Sequence, residues 1–306
     1  MNFKYRDLGL AVLSAFLGSI KGYLVSQVHS LGAVEIFCLR SIGAACLISP
    51  IVIYYGYRIL YDERVNLILL MRSIVGNIAV CGYYFGFVYL PIAEASLLFY
   101  STPIFTIIIG YLFLRESCGL TEIISTILSV SGVFIVCYPQ FSHNYTTSTV
   151  IGITGSLVGA LAQAIALVFV RKITEIPPFV VSFWWSIVGM LFSSAISIIF
   201  KDIKTWQCGW EAVCLVLIAA VGFISEVSLV SALKSTDAVI VSLALTTEII
   251  WAFLLQYFLI MEIPTLITVT GGILIGISLL LSVVIKIAFR NGQTLDLENQ
   301  TRKIST

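Results

Sequence analysis

The chain has 306 residues, 59% of them hydrophobic and 11% charged, with a formal net charge of +1. Soluble domains carry about a quarter charged residues, so a soluble fold is excluded, and the balanced charge carries no bias toward nucleic acid. The apolar runs leave no room for a soluble domain between them, and each approaches the ~20 residues that a ~30 Å hydrocarbon core requires.

Ten transmembrane helices are predicted in chain order, at 8–28, 32–54, 66–89, 92–113, 121–138, 149–170, 178–200, 210–233, 238–260 and 265–288. The first run follows Lys4 and Arg6 but reads as a span and not as a cleaved leader, because Lys21 stands where small residues belong. Pro91, Pro177, Pro178 and Pro264 fall at or before span starts, where a missing N–H costs nothing. Pro50 and Pro139 fall near span ends. Pro103, in Tyr100-Ser101-Thr102-Pro103, is expected to interrupt the fourth span and bend it. The tail after Arg290 is polar and is expected to be disordered.

Lys and Arg set the orientation. With the N-terminus in the cytoplasm, inner loops and tails hold 12 of them and outer loops only Lys201 and Lys204. The asymmetry requires an even number of spans, so both termini are expected to be cytoplasmic in an integral, multi-pass protein of the plasma membrane or an endomembrane. The sequon Asn144-Tyr145-Thr146 then lies outside, and Asn299-Gln300-Thr301 lies inside. Seven cysteines form no CxxC pair and read as small apolar packing residues. His29 and His143 sit in loops. No metal or cofactor site is expected.

Ten spans divide into five and five. Gly9 and Gly152 open the first and sixth, and the same offset pairs Ala93-Glu94-Ala95 with Thr236-Asp237-Ala238. Three residues further on in the second copy, Thr102-Pro103 aligns with Glu248-Ile249 and Glu116 with Glu262. Five is odd, so the second copy enters from the opposite side. The fold class expected is an all-α membrane protein with two inverted five-helix repeats, 1–140 and 141–290, followed by the tail 291–306.

The same residues resemble a known group. Pro91-Ile92-Ala93-Glu94-Ala95-Ser96 through Ser101-Thr102-Pro103-Ile104-Phe105 to Leu114-Arg115-Glu116 is similar to the EamA-like branch of the drug/metabolite transporter superfamily. Leu13-Ser14-Ala15-Phe16, Ala33-Val34-Glu35-Ile36 with Arg40, and Leu70-Met71-Arg72 with Gly76 look most like the G subgroup of solute carrier family 35. Ser131-Gly132-Val133 and Thr247-Glu248-Ile249-Ile250-Trp251-Ala252-Phe253 match it too. The resemblance implies a carrier and leaves the substrate open among amino acids, amines, nucleotide sugars, organic anions and drugs. The Gly-Ala-Leu-Asn-Lys pattern of the nucleotide-sugar branch is absent from the ninth span. The acid of that span in relatives is often Asp or Glu-Pro, whereas here Glu248 precedes Ile249, which leaves a kink there in question.

Charges inside spans cost ~3 kcal/mol or more unless paired or hydrated. At ~1.5 Å per residue, Arg40 and Glu248 lie at nearly one mid-membrane level, Lys21 somewhat above it, and Arg72 and Glu226 below. These five residues, with Tyr83, Pro103 and Trp251, are the candidate substrate-binding or coupling residues. Arg40 and Arg72 also suit a purely structural role, tying helices together. Three cations against two carboxylates favour a substrate that carries a carboxylate, an organic anion or an amino acid, though Glu35 would balance the set equally. Tyr83-Tyr84, Trp184-Trp185 and Trp251 either line a cavity or pack as core and interface belt. Gly82xxxGly86, Gly155xxxGly159 and Gly272xxxGly276 permit close helix approach, the last as a candidate homodimer face on the tenth span.

No HExxH pair exists and no histidine lies in a span, so an intramembrane enzyme is disfavoured. No P-loop points to ATP drive. The expected function is secondary-active transport of a small polar metabolite by alternating access, through proton coupling or exchange. The competing reading is a channel or a non-transporting sensor, and the competing substrate is a nucleotide sugar or other nucleotide derivative.

Overall fold

A computed structural model describes residues 5–28, 30–89, 92–114, 119–138, 147–200, 209–260, 266–267 and 269–285. Asn144, Glu116, Glu262, Lys201, Lys204, the histidines and the tail fall outside these residues. The described chain is helical: α1 Tyr5–Ser26, α2 Ala33–Tyr54, α3 Glu63–Tyr89, α4 Ile92–Phe99, α5 Thr102–Leu114, α6 Leu120–Cys137, α7 Thr147–Lys172, α8 Pro178–Phe200, α9 Trp210–Leu233, α10 Ala238–Thr246 and α11 Glu248–Ile260. A last apolar helix, α12, covers Val269–Ile285. Among the described residues, eight stretches are long and apolar enough to cross a membrane, and Leu120–Ile135 and Val269–Ile285 are shorter apolar helices. Hydrocarbon offers backbone groups no partner, so helices that satisfy their own are the stable solution.

Two spans are broken. The fourth stops at Phe99 and restarts at Thr102, so Pro103 lies in the first turn of α5, where its ring fits, and not in a helix interior. Pro50, by contrast, lies within α2. Carbonyls freed at the break are taken by hydroxyls: Ser101 Oγ donates to the Leu98 carbonyl and Thr102 Oγ1 to that of Phe99, both at 2.6 Å. The ninth span breaks at Thr247 without any proline. There Thr246 Oγ1 donates to the Leu243 carbonyl at 2.7 Å and Thr247 Oγ1 to that of Ala244 at 2.6 Å. Adjacent back-bonding hydroxyls offer the chain an alternative to the helical ladder and bend it.

Glycine and serine set the closest crossings. A Cβ at Gly82 would stand 2.6 Å from the Gly155 carbonyl and 2.8 Å from Gly159 Cα, so the first two GxxxG motifs interlock α3 with α7. α1 runs along α9, pinned where Ser225 Oγ donates to the Ser14 carbonyl at 3.0 Å. α2 lies against α8 and α9. A Cβ at Gly276 would meet nothing within 4 Å.

Apolar side chains gather in separate clusters. The largest joins the starts of α1, α3 and α8 to α10 and to the ends of α5, α7, α9 and α12, through Leu69, Leu167, Val180, Leu233, Ile240 and Val283. A smaller one at the opposite end packs Leu24, Val28, Leu31 and Ile36 against Cys214 and Ile218. Lys21 on α1 and Glu226 on α9 fall between these two clusters along their helices, whereas the buried Asp7 lies at the end of the large one.

Candidate functional site

The polar centre is built from α1, α2, α3, α8 and α9, together with the two helix breaks. Arg72 on α3 donates through Nη2 to Glu226 Oε1 on α9. Their side chains are 5% and 12% exposed. Burial makes such a pair expensive to break, about 3–5 kcal/mol when one partner is lost. Arg72 Nε and Nη1 are buried without an acceptor among the described residues. Trp185 on α8 serves both arginines: its ring centroid lies 4.6 Å from the Arg40 guanidinium carbon and 5.8 Å from that of Arg72. The indole fits because Gly76 lies beneath it, where a Cβ would come within 3.1 Å of Nε1. Asn77 Nδ2 fixes the same turn of α8 by donating to the Trp185 carbonyl at 3.3 Å. A desolvated guanidinium over an indole gains ~2 kcal/mol.

Lys21 and Arg40 converge on Gly222 of α9. A Cβ there would lie 3.7 Å from Arg40 Cδ and Nη1, and 3.8 Å from Lys21 Cδ. Glu248 approaches the same face of α1 as Lys21. Glu248 opens α11 directly after the break, and its carboxylate rests against Gly18, one helical turn before Lys21 on α1. The Tyr100 hydroxyl, at the break of the fourth span, faces Glu248 and Tyr83. Tyr83 also lies against Phe99, with ring centroids 4.3 Å apart. One turn past Glu248, Trp251 meets Phe16 edge-on at 5.3 Å, and its Nε1 is buried without an acceptor among the described residues.

The structure therefore brings Lys21, Arg40, Arg72, Tyr83, Glu226 and Glu248 into one centre, with Trp251 beside it. Pro103 stays one turn away and shapes the break near Tyr100. Of the tryptophan pair, only Trp185 enters the centre. Trp184 donates its Nε1 to the Ile59 carbonyl at 3.1 Å. Glu35 caps its own helix, accepting from the Gly32 N–H at 2.5 Å. Tyr100, Gly18 and Gly222 were not singled out by sequence as site residues, and Trp185 was named only within the Trp184-Trp185 pair. Tyr100 stands in the polar break already visible in Tyr100-Ser101-Thr102-Pro103, and Gly18 precedes Lys21 by one turn. Among the described residues, no group of three His, Cys, Asp or Glu could hold a metal ion.

Apolar helices packed around a buried ion pair and two helix breaks define an integral membrane protein with a polar interior. The EamA-like transporter family matches residues 7–138 and, a second time, 150–284, and the chain belongs to that family. It is a multi-pass membrane transporter of the drug/metabolite type, near the G subgroup of solute carrier family 35. Solute carrier family 35 member G1 of Mus musculus is 29% identical over 284 residues, 89% of this chain and 77% of that protein. The pseudopaline exporter CntI of Pseudomonas aeruginosa is 26% identical over 271 residues, covering 88% and 93%. An S-adenosylmethionine uptake transporter of Rickettsia conorii is 22% identical over 262 residues, covering 84% and 83%. The family and these relatives are transporters, not enzymes. A solved crystal structure, 15% identical, shares the fold with a TM-score of 0.80 over 92% of this chain and 98% of that one.

Proposed function

We propose that this protein is a secondary-active carrier for a small, carboxylate-bearing metabolite, an organic anion or an amino-acid derivative. The observation that carries the reading is the division of charge. Lys21, Arg40 and Arg72 come from the first half of the chain, Glu226 and Glu248 from the second, and they meet where both halves break a helix. A carboxylate would enter between these side chains. It would also supply oxygen to Arg72 Nε and Nη1 and to Trp251 Nε1. The N-terminus of α11 adds a positive dipole end of the kind that carriers aim at anionic groups. S-adenosylmethionine, the cargo named for one relative, bears an amino-acid head, which fits the same reading.

Two inverted repeats, 1–140 and 141–290, supply the alternating movement. The two family matches support them, and so does the packing. Exchanging the halves turns α1 on α9 into α7 on α3, turns α2 on α9 into α8 on α3, and returns α2 on α8 to itself. With both termini cytoplasmic, the large apolar cluster closes the inner side of the site. Arg171 fastens that side, donating through Nη1 to the Leu233 and Lys234 carbonyls at 3.1 and 3.2 Å and through Nη2 to Asp237 at 3.4 Å. The plasma membrane is the location in this reading. The homodimer through the tenth span gains no support from the relatives and is not part of it.

The test is a thermal-shift panel on purified protein with succinate, L-methionine, S-adenosylmethionine and a nucleotide sugar. The reading expects a carboxylate-bearing compound to raise the unfolding temperature in wild type and not in Arg40→Gln. A shift confined to the nucleotide sugar would replace it.

A further inference from the structure

We propose that Gly18 and Tyr100 are positioning residues that form a berth for the Glu248 carboxylate, holding it toward Lys21. The role given to Glu248 rests on the carrier reading above; the berth itself rests on geometry. A Cβ at Gly18 would stand 2.6 Å from Glu248 Cδ and Oε2 and 2.8 Å from Oε1, so the absence of a side chain there is what lets the carboxylate reach α1. Lys21 follows one turn later on the same face, which sets its charge against the seated carboxylate. Tyr100, 7% exposed, closes the berth from the other half-broken helix, its hydroxyl facing Glu248. Its ring is fixed by Phe99 and Tyr83, whose centroids lie 5.7 and 6.4 Å away. The two breaks thus meet where Tyr100 faces Glu248: Tyr100 sits in the first and Glu248 begins the helix after the second. Movement of either half-helix would open the berth and release the carboxylate. Gly22, one turn beyond Gly18, faces open space, which marks Gly18 as the position where size matters.

The carboxylate is the far end of a flexible side chain, so a methyl at Gly18 displaces Glu248 without forcing α1 away. Dicyclohexylcarbodiimide labelling of the full-length protein in detergent, mapped by mass spectrometry at fixed pH, reads the berth without any substrate, because the reagent must reach the carboxyl group to modify it. Wild type should label slowly at position 248, where Gly18 and Tyr100 enclose the carboxyl. Tyr100→Phe should label there several-fold faster, because the hydroxyl that closes the berth is gone. Gly18→Ala should do the same, and Gly22→Ala should behave as wild type. Adding Glu248→Asp to Gly18→Ala, one methylene shorter, should return labelling at position 248 toward the slow rate. Unchanged labelling in folded Tyr100→Phe, or no recovery in the double variant, overturns the berth. Failure of Glu248 variants to alter transport would remove the coupling role while leaving these labelling results in place, so the two failures are distinguishable.

Discussion

Arg72 and Glu226 illustrate what a buried pair demands. Both are nearly enclosed, and each is costly to leave alone. Arg72→Met should therefore lower stability by about 3–5 kcal/mol, and adding Glu226→Met should restore most of it. Thermal unfolding in detergent checks this, and an additive loss in the double variant would show that the pair does not act as a unit. The sequence made this pair accessible, because depth along a helix is simple arithmetic and placed both residues on one level. It could not settle which cation Glu248 serves, since Lys21 and Arg40 lie at similar depth and the choice depends on helix neighbours. It also could not mark Gly18 or Gly222. A glycine among 22 carries no sign of the side chain that will lie against it.

Helix breaks decide the site at the level of elements. Pro103 made the first break foreseeable, although it marks the restart of the helix and not the interruption itself. The second was left in question because Glu248 lacks a following proline. The structure breaks there through Thr246 and Thr247, whose hydroxyls take the freed carbonyls. Hydroxyl back-bonding is weak in isolation, so sequence alone does not separate such pairs from ordinary polar residues in a span. Thr246→Val with Thr247→Val should straighten the ninth span and abolish the thermal shift given by the best carboxylate of the panel. A variant that keeps the shift would show the hydroxyls to be dispensable. Helix crossings are less forgiving. Gly82→Val places its Cβ 2.6 Å from the Gly155 carbonyl and should yield no monodisperse protein, whereas Gly276→Val should purify as wild type. Size-exclusion profiles compare the two, and equal yields would contradict the interlocked α3–α7 crossing.

Across the whole molecule, the arrangement of charge underlies the proposed orientation and the proposed mechanism together. Twelve Lys and Arg on one side against two on the other predict that a cysteine placed within 139–148 reacts with impermeant reagent from outside intact cells. Reaction only after permeabilisation would reverse the topology. The repeats were proposed from sparse matches at an offset that grows by three residues along the chain, and the exchange symmetry of helix packing is consistent with them. The central claim is that the seated Glu248 couples substrate movement to a change of partner between two states, the differential interaction that coupled transport requires. Flux in proteoliposomes tests it most directly, using the carboxylate with the largest thermal shift. Glu248→Gln keeps the shape of a protonated acid, so this variant should fold and still exchange substrate across the membrane. It should lose concentrative uptake and the dependence of uptake on a pH gradient. Concentrative, pH-dependent uptake left intact in Glu248→Gln would contradict the account.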